Sequence, residues 1–392
     1  MEPAAVYLKP GREKSVLNRN PWVFSGAVDR IEGCRENGQA VEVLSAAGGF
    51  LAVGYVNPMS RIPCRILSWE PVTVDRALIE RRIRVAVALR DRVLDRETDA
   101  CRLVNSEGDF LPGLVVDRYG CGVVLQVLTA GMERFRDDII GVFDEMLAPS
   151  FLVERSDVAS RLEEGLAERL EVVRGTVSGP VEVRENGLRF RADVLHGQKT
   201  GLYLDQRESR RMIGELARGK RVLDLFSYTG GFGVYAAVGG AAAATLVDSS
   251  GPALELARDN MALNGFGSVP AEYVRADAFR YLNGAEERWN LIVIDPPAFA
   301  VKKAQVEQAA RGYKDLILRA LGLLDPGGIL AAYSCSHHID TDLFRQIVYA
   351  AVVDSGRAAQ VIARTSHPPD HPFDICHREG EYLKGAVLRV AE

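Results

Sequence analysis

Cysteine is scarce and unpaired in this chain: six residues in 392, with no C-x-x-C spacing. That scatter argues against a structural zinc site or a disulfide framework. No apolar run approaches the roughly 20 residues that a membrane-spanning helix requires. Residues 1–20, MEPAAVYLKPGREKSVLNRN, hold no apolar h-region, so no secretory signal is expected. Internal repeats, low-complexity tracts and the G-x-G-x-x-G fingerprint of dinucleotide-binding turns are missing too. Nor is there an excess of basic charge. The 48 Lys and Arg against 53 Asp and Glu leave a net −5, which does not advertise a nucleic-acid binder, although a segregated basic face remains compatible with it. What is left is a globular composition, 47% hydrophobic and 26% charged, expected to be a cytoplasmic enzyme. At this length it should form two or three domains.

The hydrophobic pattern changes twice along the chain. Residues 1–75 read as short strands with turn signals. AVEVLS alternates, Gly48-Gly49 turns, and FLAVGYVN and IPCRILSW continue the pattern of a small β domain. Residues 76–96 switch to helical spacing, with Ile79, Ile83 and Val87 among arginines. Strands at CRLVNSE, GLVVDRYG and GVVLQVLT, a helix over about 132–147 and a strand at SFLVERS make 76–180 a small α+β domain. Asn186-Gly187, between two alternating runs, signals a type I′ hairpin leading into the last domain, 181–392. There, RVLDLFS, AATLVDSS, AEYVRADA, NLIVIDPP and GILAAYSCS alternate with helical stretches, which implies a mainly parallel sheet covered on both faces.

Ligands of such sheets sit beyond the carboxyl ends of the strands. In RVLDLFSYTGGFG the first strand ends at Asp224 and a turn with glycines 230, 231 and 233, which let backbone approach a ligand. A carboxylate before the turn suits a cationic ligand better than a pyrophosphate. Asp248, Asp277 and Asp295 fall at the ends of later strands. Each alone is more often a helix cap; four at successive strand ends match S-adenosylmethionine. Asp224 would face its ammonium, Asp248 the ribose hydroxyls and Asp277 the adenine amine. DPPAF (295–299) adds two rigid prolines and Phe299, on which a base can stack. In AAYSCSHHID, Cys335 follows a strand of the same sheet, either as a small buried hydrophobe or as a nucleophile. A thiolate adding to carbon 6 of a pyrimidine makes carbon 5 nucleophilic, which methylation at that carbon demands.

KTGLYLDQR (199–207), DLFSYTGGFG (224–233), DPPAF, YSCSH (333–337) and EYLKG (381–385), in that order, resemble the bacterial 23S rRNA cytosine-C5 methyltransferases of the large subunit methyltransferase I type. The early LKPGREKSVLNRNPWVFSGAV is similar to that family's PUA domain. The resemblance implies a PUA domain, a central α+β domain and a Rossmann-like class I methyltransferase domain. It further implies S-adenosylmethionine as cofactor, 23S rRNA as partner and Cys335 as nucleophile. It brings Tyr203, Gln206, Arg207, Phe226, Ser227 and Gly230 into the cofactor site. Arg12, Lys14 and Arg19 become candidate phosphate contacts. The better-known cytosine-C5 RNA enzymes carry a second cysteine where this chain has Pro297, so the base that removes the carbon-5 proton is unassigned, with Asp295 one candidate. The alternatives are methylation of a purine or exocyclic nitrogen, which needs no thiol, an RNA-binding factor without activity, and an oxidoreductase. The oligomeric state, a homodimer included, stays open.

Overall fold

The computed structural model describes residues 4–300 and 302–391; the opening three residues of the expected β domain lie outside that range. The chain folds into two compact units. One comprises the chain up to Gly187 with Ala192–Leu204 and Pro369–Gly380. The other comprises Leu188–Arg191, Asp205–Pro368 and the chain from Glu381 on. Among the described residues no helix is long and apolar enough to cross a membrane.

The first unit holds two sheets. Six strands run in the order Trp22–Val23, Cys64–Ser68, Phe50–Val56, Gln39–Leu44, Ala5–Leu8 and Val28–Glu32. The hairpin expected around Gly48-Gly49 is the antiparallel pair Gln39–Leu44 with Phe50–Val56. A five-stranded sheet follows, from Ala100–Asn105 through Leu114–Tyr119, Gly122–Val127 and Phe151–Ser156 to Arg169–Gly175. The 18-residue helix Arg76–Val93 starts at Asp75, whose carboxylate accepts the Leu78 amide, and buries Ile79, Ile83 and Val87 with strand residues Val116 and Leu125. Asn186 and Gly187 take φ of 49° and 79°, as a type I′ turn requires. Pro369–Gly380 reads from sequence as a polar loop, yet it belongs to this unit. Asp370 is fully buried there and accepts the Arg102 amide, while its carbonyl accepts from buried Arg90.

The second unit is a seven-stranded sheet. Its elements are α1 (Arg207–Leu216), β1 (Arg221–Leu225), α2 (Gly231–Val238), β2 (Ala243–Asp248), α3 (Gly251–Leu263), β3 (Ala271–Arg275), α4 (Ala278–Gly284) and β4 (Trp289–Ile294). There follow α5 (Val306–Leu323), β5 (Leu324–Ser334), α6 (Thr341–Ser355), β6 (Ala359–Thr365) and β7 (Lys384–Val390). The strand order is 3-2-1-4-5-7-6, with β1 to β5 parallel and β7 antiparallel to both neighbours. The continuous apolar runs follow from burial on both faces. Leu223, Leu225, Ile292, Ile294, Leu330 and Ala332 pack under α5 and α6, whereas Val222, Leu291, Val293, Ala331 and Tyr333 pack under α1 and α2. The order reverses between β1 and β4, where Leu225 stands opposite Ile294, and this opens the crevice at their carboxyl ends.

The turn after β1 is strained. Phe226, Tyr228 and Gly230 all have positive φ, at 62°, 48° and 76°. Such conformations cost non-glycine residues about 1–3 kcal/mol each and gather at functional sites. The glycines also act differently from the sequence expectation. A Cβ on Gly230 would meet the Ala257 Cβ at 2.8 Å, one on Gly231 the Arg210 Cδ at 2.7 Å and one on Gly233 a Leu246 methyl at 2.8 Å. At all three positions the space is taken by protein, so these glycines bring α2 close to α1, β2 and α3. G230A therefore combines a clash with a left-handed backbone; we expect a loss of about 1–3 kcal/mol of stability, read as a lower urea midpoint at unchanged slope.

Candidate functional site

Asp224 is the most enclosed acid of the crevice. It is the last residue but one of β1, on the α1–α2 face, and is fully buried. One oxygen accepts the Gly233 amide of α2 at 3.2 Å; the other, Oδ1, has no hydrogen-bond partner. Burial, and then the neighbouring Asp295 carboxyl, raise its pKa well above the ordinary carboxylate range. Asp295 follows β4. Its side chain keeps some exposure, but enclosure of the carboxyl and the charge of Asp205 push it up to about 7. The Gln206 amide nitrogen donates to Asp295 Oδ1 at 2.9 Å, which opposes that rise, as does Arg210.

Gln206 and Ser227 are themselves buried, and each keeps an acceptor without a partner: Gln206 Oε1 and Ser227 Oγ. A buried acceptor left unpaired costs about 1–3 kcal/mol. With Asp224 Oδ1, these atoms form an acceptor-rich lining that a cationic amine would satisfy.

The other sequence candidates divide. Asp248, half-buried at the end of β2, accepts the Tyr228 amide at 2.9 Å and the Ser250 amide at 2.8 Å, so it ties the strained turn to the next strand. Asp277 is exposed and caps α4, accepting the Arg280 amide at 3.0 Å. Arg207 is buried and lies 3.5 Å from the Glu208 carboxylate. Phe226 packs partly against the core. Phe299 joins an aromatic cluster with Tyr313, centroids 4.7 Å apart, and with Phe279 at 6.1 Å. Tyr203 belongs to the first unit, where its hydroxyl donates to Gln198 at 2.5 Å. Arg12, Lys14 and Arg19 are exposed in the first unit; Arg19 lies 5.3 Å over the Trp69 ring.

Cys335 comes one residue after β5 ends at Ser334. It is half-buried, and its thiol lies 3.8 Å from the Pro296 carbonyl, beside Asp295. The thiol and the DPPAF turn thus share one edge of the sheet. Sequence reasoning overlooked three further residues. Arg210 on α1 opposes the charges of Asp224 and Asp295. Tyr313 on α5 bonds to Ser334 and Ser336. Lys384, the first residue of β7, bonds to the loop after Cys335. An arginine in an amphipathic helix and a lysine at a strand end carry no signal of their own; EYLKG drew attention to the lysine only as part of a resemblance.

The profile of S-adenosylmethionine-dependent methyltransferases matches residues 167–380, and that of PUA-like domains matches residues 6–69. Ribosomal RNA large subunit methyltransferase I of Tolumonas auensis is 43% identical, over 98% of this chain and 99% of its own. The enzyme of that name from Vibrio vulnificus strain YJ016 is 41% identical over 99% of each. The chain belongs to the ribosomal RNA large subunit methyltransferase I family. Among solved structures, a putative SAM-dependent methyltransferase from Streptococcus mutans matches with a TM-score of 0.85 at 24% identity, over 98% of this chain and 100% of that one. A putative methyltransferase complexed with SAH matches at 0.86, with the same identity and coverage. At that identity they speak for the fold.

The protein is thus an S-adenosylmethionine-dependent methyltransferase of large-subunit rRNA with a PUA-like domain. The buried acceptors fit that cofactor: Asp224, Ser227 and Gln206 would offer oxygens to its ammonium, while half-buried Asp248 and exposed Asp277 would offer carboxylates to its hydroxyls and amine. Bound there, it supplies a methyl group on a sulfonium. A cation beside Asp224 favours the carboxylate, so the bound state holds fewer protons than the free state. Calorimetry with S-adenosylhomocysteine in buffers of different ionisation heat should register proton release, with affinity rising as pH rises. D224N should bind about 10–100-fold more weakly and lose that proton release, since hydrogen bonds to charged groups contribute about 1.5–3 kcal/mol.

Proposed function

We propose that this methyltransferase modifies carbon 5 of a cytosine in 23S rRNA through a covalent adduct with Cys335, with Asp295 as the base. The observation that carries the proposal is the half-buried thiol 3.8 Å from the Pro296 carbonyl, next to a carboxyl held near 7. Carbon 5 of cytosine is a poor nucleophile, and a thiolate supplies what it lacks. The sulfur–carbon 6 bond forms and the 5,6 π pair moves onto carbon 5, which would then take the methyl group as its bond to the sulfonium breaks and that pair stays on sulfur as a neutral thioether. A base removes the carbon-5 proton, the π bond re-forms and the thiolate leaves. A base whose pKa lies near the working pH is half-ionised there and well matched to that transfer. Asp295 meets this condition; an ordinary aspartate would be too weak a base.

The remaining assignments support the same reading. Arg12, Lys14 and Arg19 of the PUA-like domain would meet RNA phosphates, and Phe299 would flank the base. The domain divisions near 75 and 180, the cytoplasmic location and a monomer or homodimer in solution belong to the proposal too.

Labelled S-adenosylmethionine and protein-free 23S rRNA, followed by digestion to nucleosides, should place the label in 5-methylcytidine. A methylated purine or a nitrogen-methylated product defeats the proposal. C335A should abolish transfer while still binding S-adenosylhomocysteine; transfer near the parental rate excludes the thiol. The parental rate should rise with pH through about 7, because the carboxylate is the active form of Asp295. D295N should lower kcat by about 10²–10⁴-fold, in line with loss of a general base, and remove that dependence.

A further inference from the structure

The segment around Cys335 is held from three directions. The Ser334 hydroxyl donates to Tyr313 Oη at 3.0 Å, and Tyr313 Oη lies 3.1 Å from Ser336 Oγ, so one buried phenol of α5 bridges the two serines that flank the cysteine. The Ala300 amide, at the end of the DPPAF segment, donates to Ser336 Oγ at 3.4 Å. From the antiparallel neighbour, Lys384 stands opposite Ser334 in register. Its ammonium donates to the Ser336 carbonyl at 2.8 Å and to the Ile339 carbonyl.

Lys384 is only 4% exposed and forms no ion pair among the described residues. A buried cation held by two neutral carbonyls is costly unless an anion compensates it. Burial draws its pKa down to about 8; the charges that hold it up are Cys335 first, then Asp340 and Glu381. Asp340 heads α6 and accepts the Leu343 amide at 2.8 Å, and both it and Glu381 are exposed to solvent. Lys384 faces Ser334 in register and donates to the Ser336 carbonyl, so its contacts bracket Cys335, whereas water screens Asp340 and Glu381. Tyr313 from α5 senses the charge of Cys335 as well, and burial pushes that phenol up to about 12, so it stays a neutral donor at physiological pH.

We propose that Lys384 is a positioning residue for the methyl-transfer site. Its ammonium stabilises Cys335 as the thiolate and, through the Ser336 and Ile339 carbonyls, fixes the loop that carries the sulfur. The inference rests on Cys335 being the nucleophile, but its consequence is a property of the thiol itself. An opposite charge within about 4–6 Å lowers an acid's pKa by one to three units, and the thiolate fraction sets cysteine reactivity.

The test is alkylation of the full-length protein by iodoacetamide across pH 5.5–10, following the Cys335 peptide by mass spectrometry. K384Q keeps hydrogen-bond donors for the carbonyls and removes the charge; K384R keeps the charge. K384Q should raise the alkylation midpoint of Cys335 by about one pH unit and slow the reaction at pH 7 about tenfold, while K384R stays close to the parent. A loop-holding role alone predicts the reverse grouping, with K384Q like the parent, and overturns the inference. Should K384Q fail to fold, reciprocity gives a second reading. In C335S the lysine loses its anion, so its side-chain 13Cε titration should move to lower pH than in the parent; an unmoved titration also overturns the inference. Neither measurement depends on methyl transfer. If C335A still methylates RNA, the covalent reading falls whatever these titrations show. If C335A is inactive and the titrations do not move, only the role of Lys384 falls.

Discussion

The structure of the catalytic unit depends on holding two carboxyl groups out of water, at the ends of adjacent parallel strands, with too few partners between them. Asp224 is the last residue but one of β1 and Asp295 follows β4, and pairing of Leu225 with Ile294 leaves their strands one spacing apart. Each raises the pKa of the other or is raised by a near neighbour, and Asp224 has an oxygen with no partner at all. Left alone, such a pair would be relieved by separating the strands or admitting water. The sheet prevents both. Leu223, Leu225, Ile292 and Ile294 lock one face against α5 and α6, and Val222, Leu291 and Val293 lock the other against α1 and α2. Fully burying a side chain of this kind contributes about 1.5–3 kcal/mol, so a handful of them outweighs one unsatisfied carboxylate oxygen. The site is a place where surplus packing energy holds an electrostatic arrangement that a proton, or a bound cation in its stead, completes.

The same constraint explains the turn after β1. Positive φ at Phe226 and Tyr228 is unfavourable, yet it points the Tyr228 amide at Asp248 and leaves the Gly233 amide for Asp224. With Asp277, which accepts the Arg280 amide, three of the four acids at the strand ends are occupied in part by backbone. Capping and ligand binding are not exclusive for a carboxylate, which has about four acceptor positions. Asp248 can hold the turn and still offer lone pairs to a ribose. The choice between a helix cap and a ligand group, posed for each acid separately, has less force once the geometry is seen.

Much of this was legible in the sequence because strands buried on both faces leave a plain trace: an apolar run that stops at an acid. Asp224, Asp295 and Cys335 each follow such a run, so their common edge could be read from order and spacing alone. The glycines were legible as a cluster but not as to purpose, since their missing Cβ atoms make room for Ala257, Arg210 and Leu246, which lie nearby only after folding. Pro369–Gly380 gave no sign of its place because Asp370 is held by groups more than 260 positions away: its carbonyl accepts from the Arg90 guanidinium and its carboxylate from the Arg102 backbone amide. Long-range hydrogen bonds of this kind leave no periodicity. Arg210, Tyr313 and Lys384 were hidden for a related reason: each is ordinary in its own element and becomes special only through a neighbour from another.

Pro297 bears on how the reaction ends. Under the proposed carbon-5 mechanism, with no second cysteine beside the DPPAF turn, release of the adduct would fall to whatever group could take the carbon-5 proton. Burial, and then the charge of Asp205, raise the Asp295 carboxyl to about 7, while Gln206 and Arg210 keep it from rising further. A stronger rise would leave it protonated at neutral pH, and a weaker one would make it too poor a base. The opposing influences on this one carboxyl are thus matched to proton transfer near neutrality. They come from a strand end, the residues just before α1 and one turn within it, so the fold itself sets the proton affinity of this carboxyl, and in the proposed mechanism it would serve as the base without a second thiol.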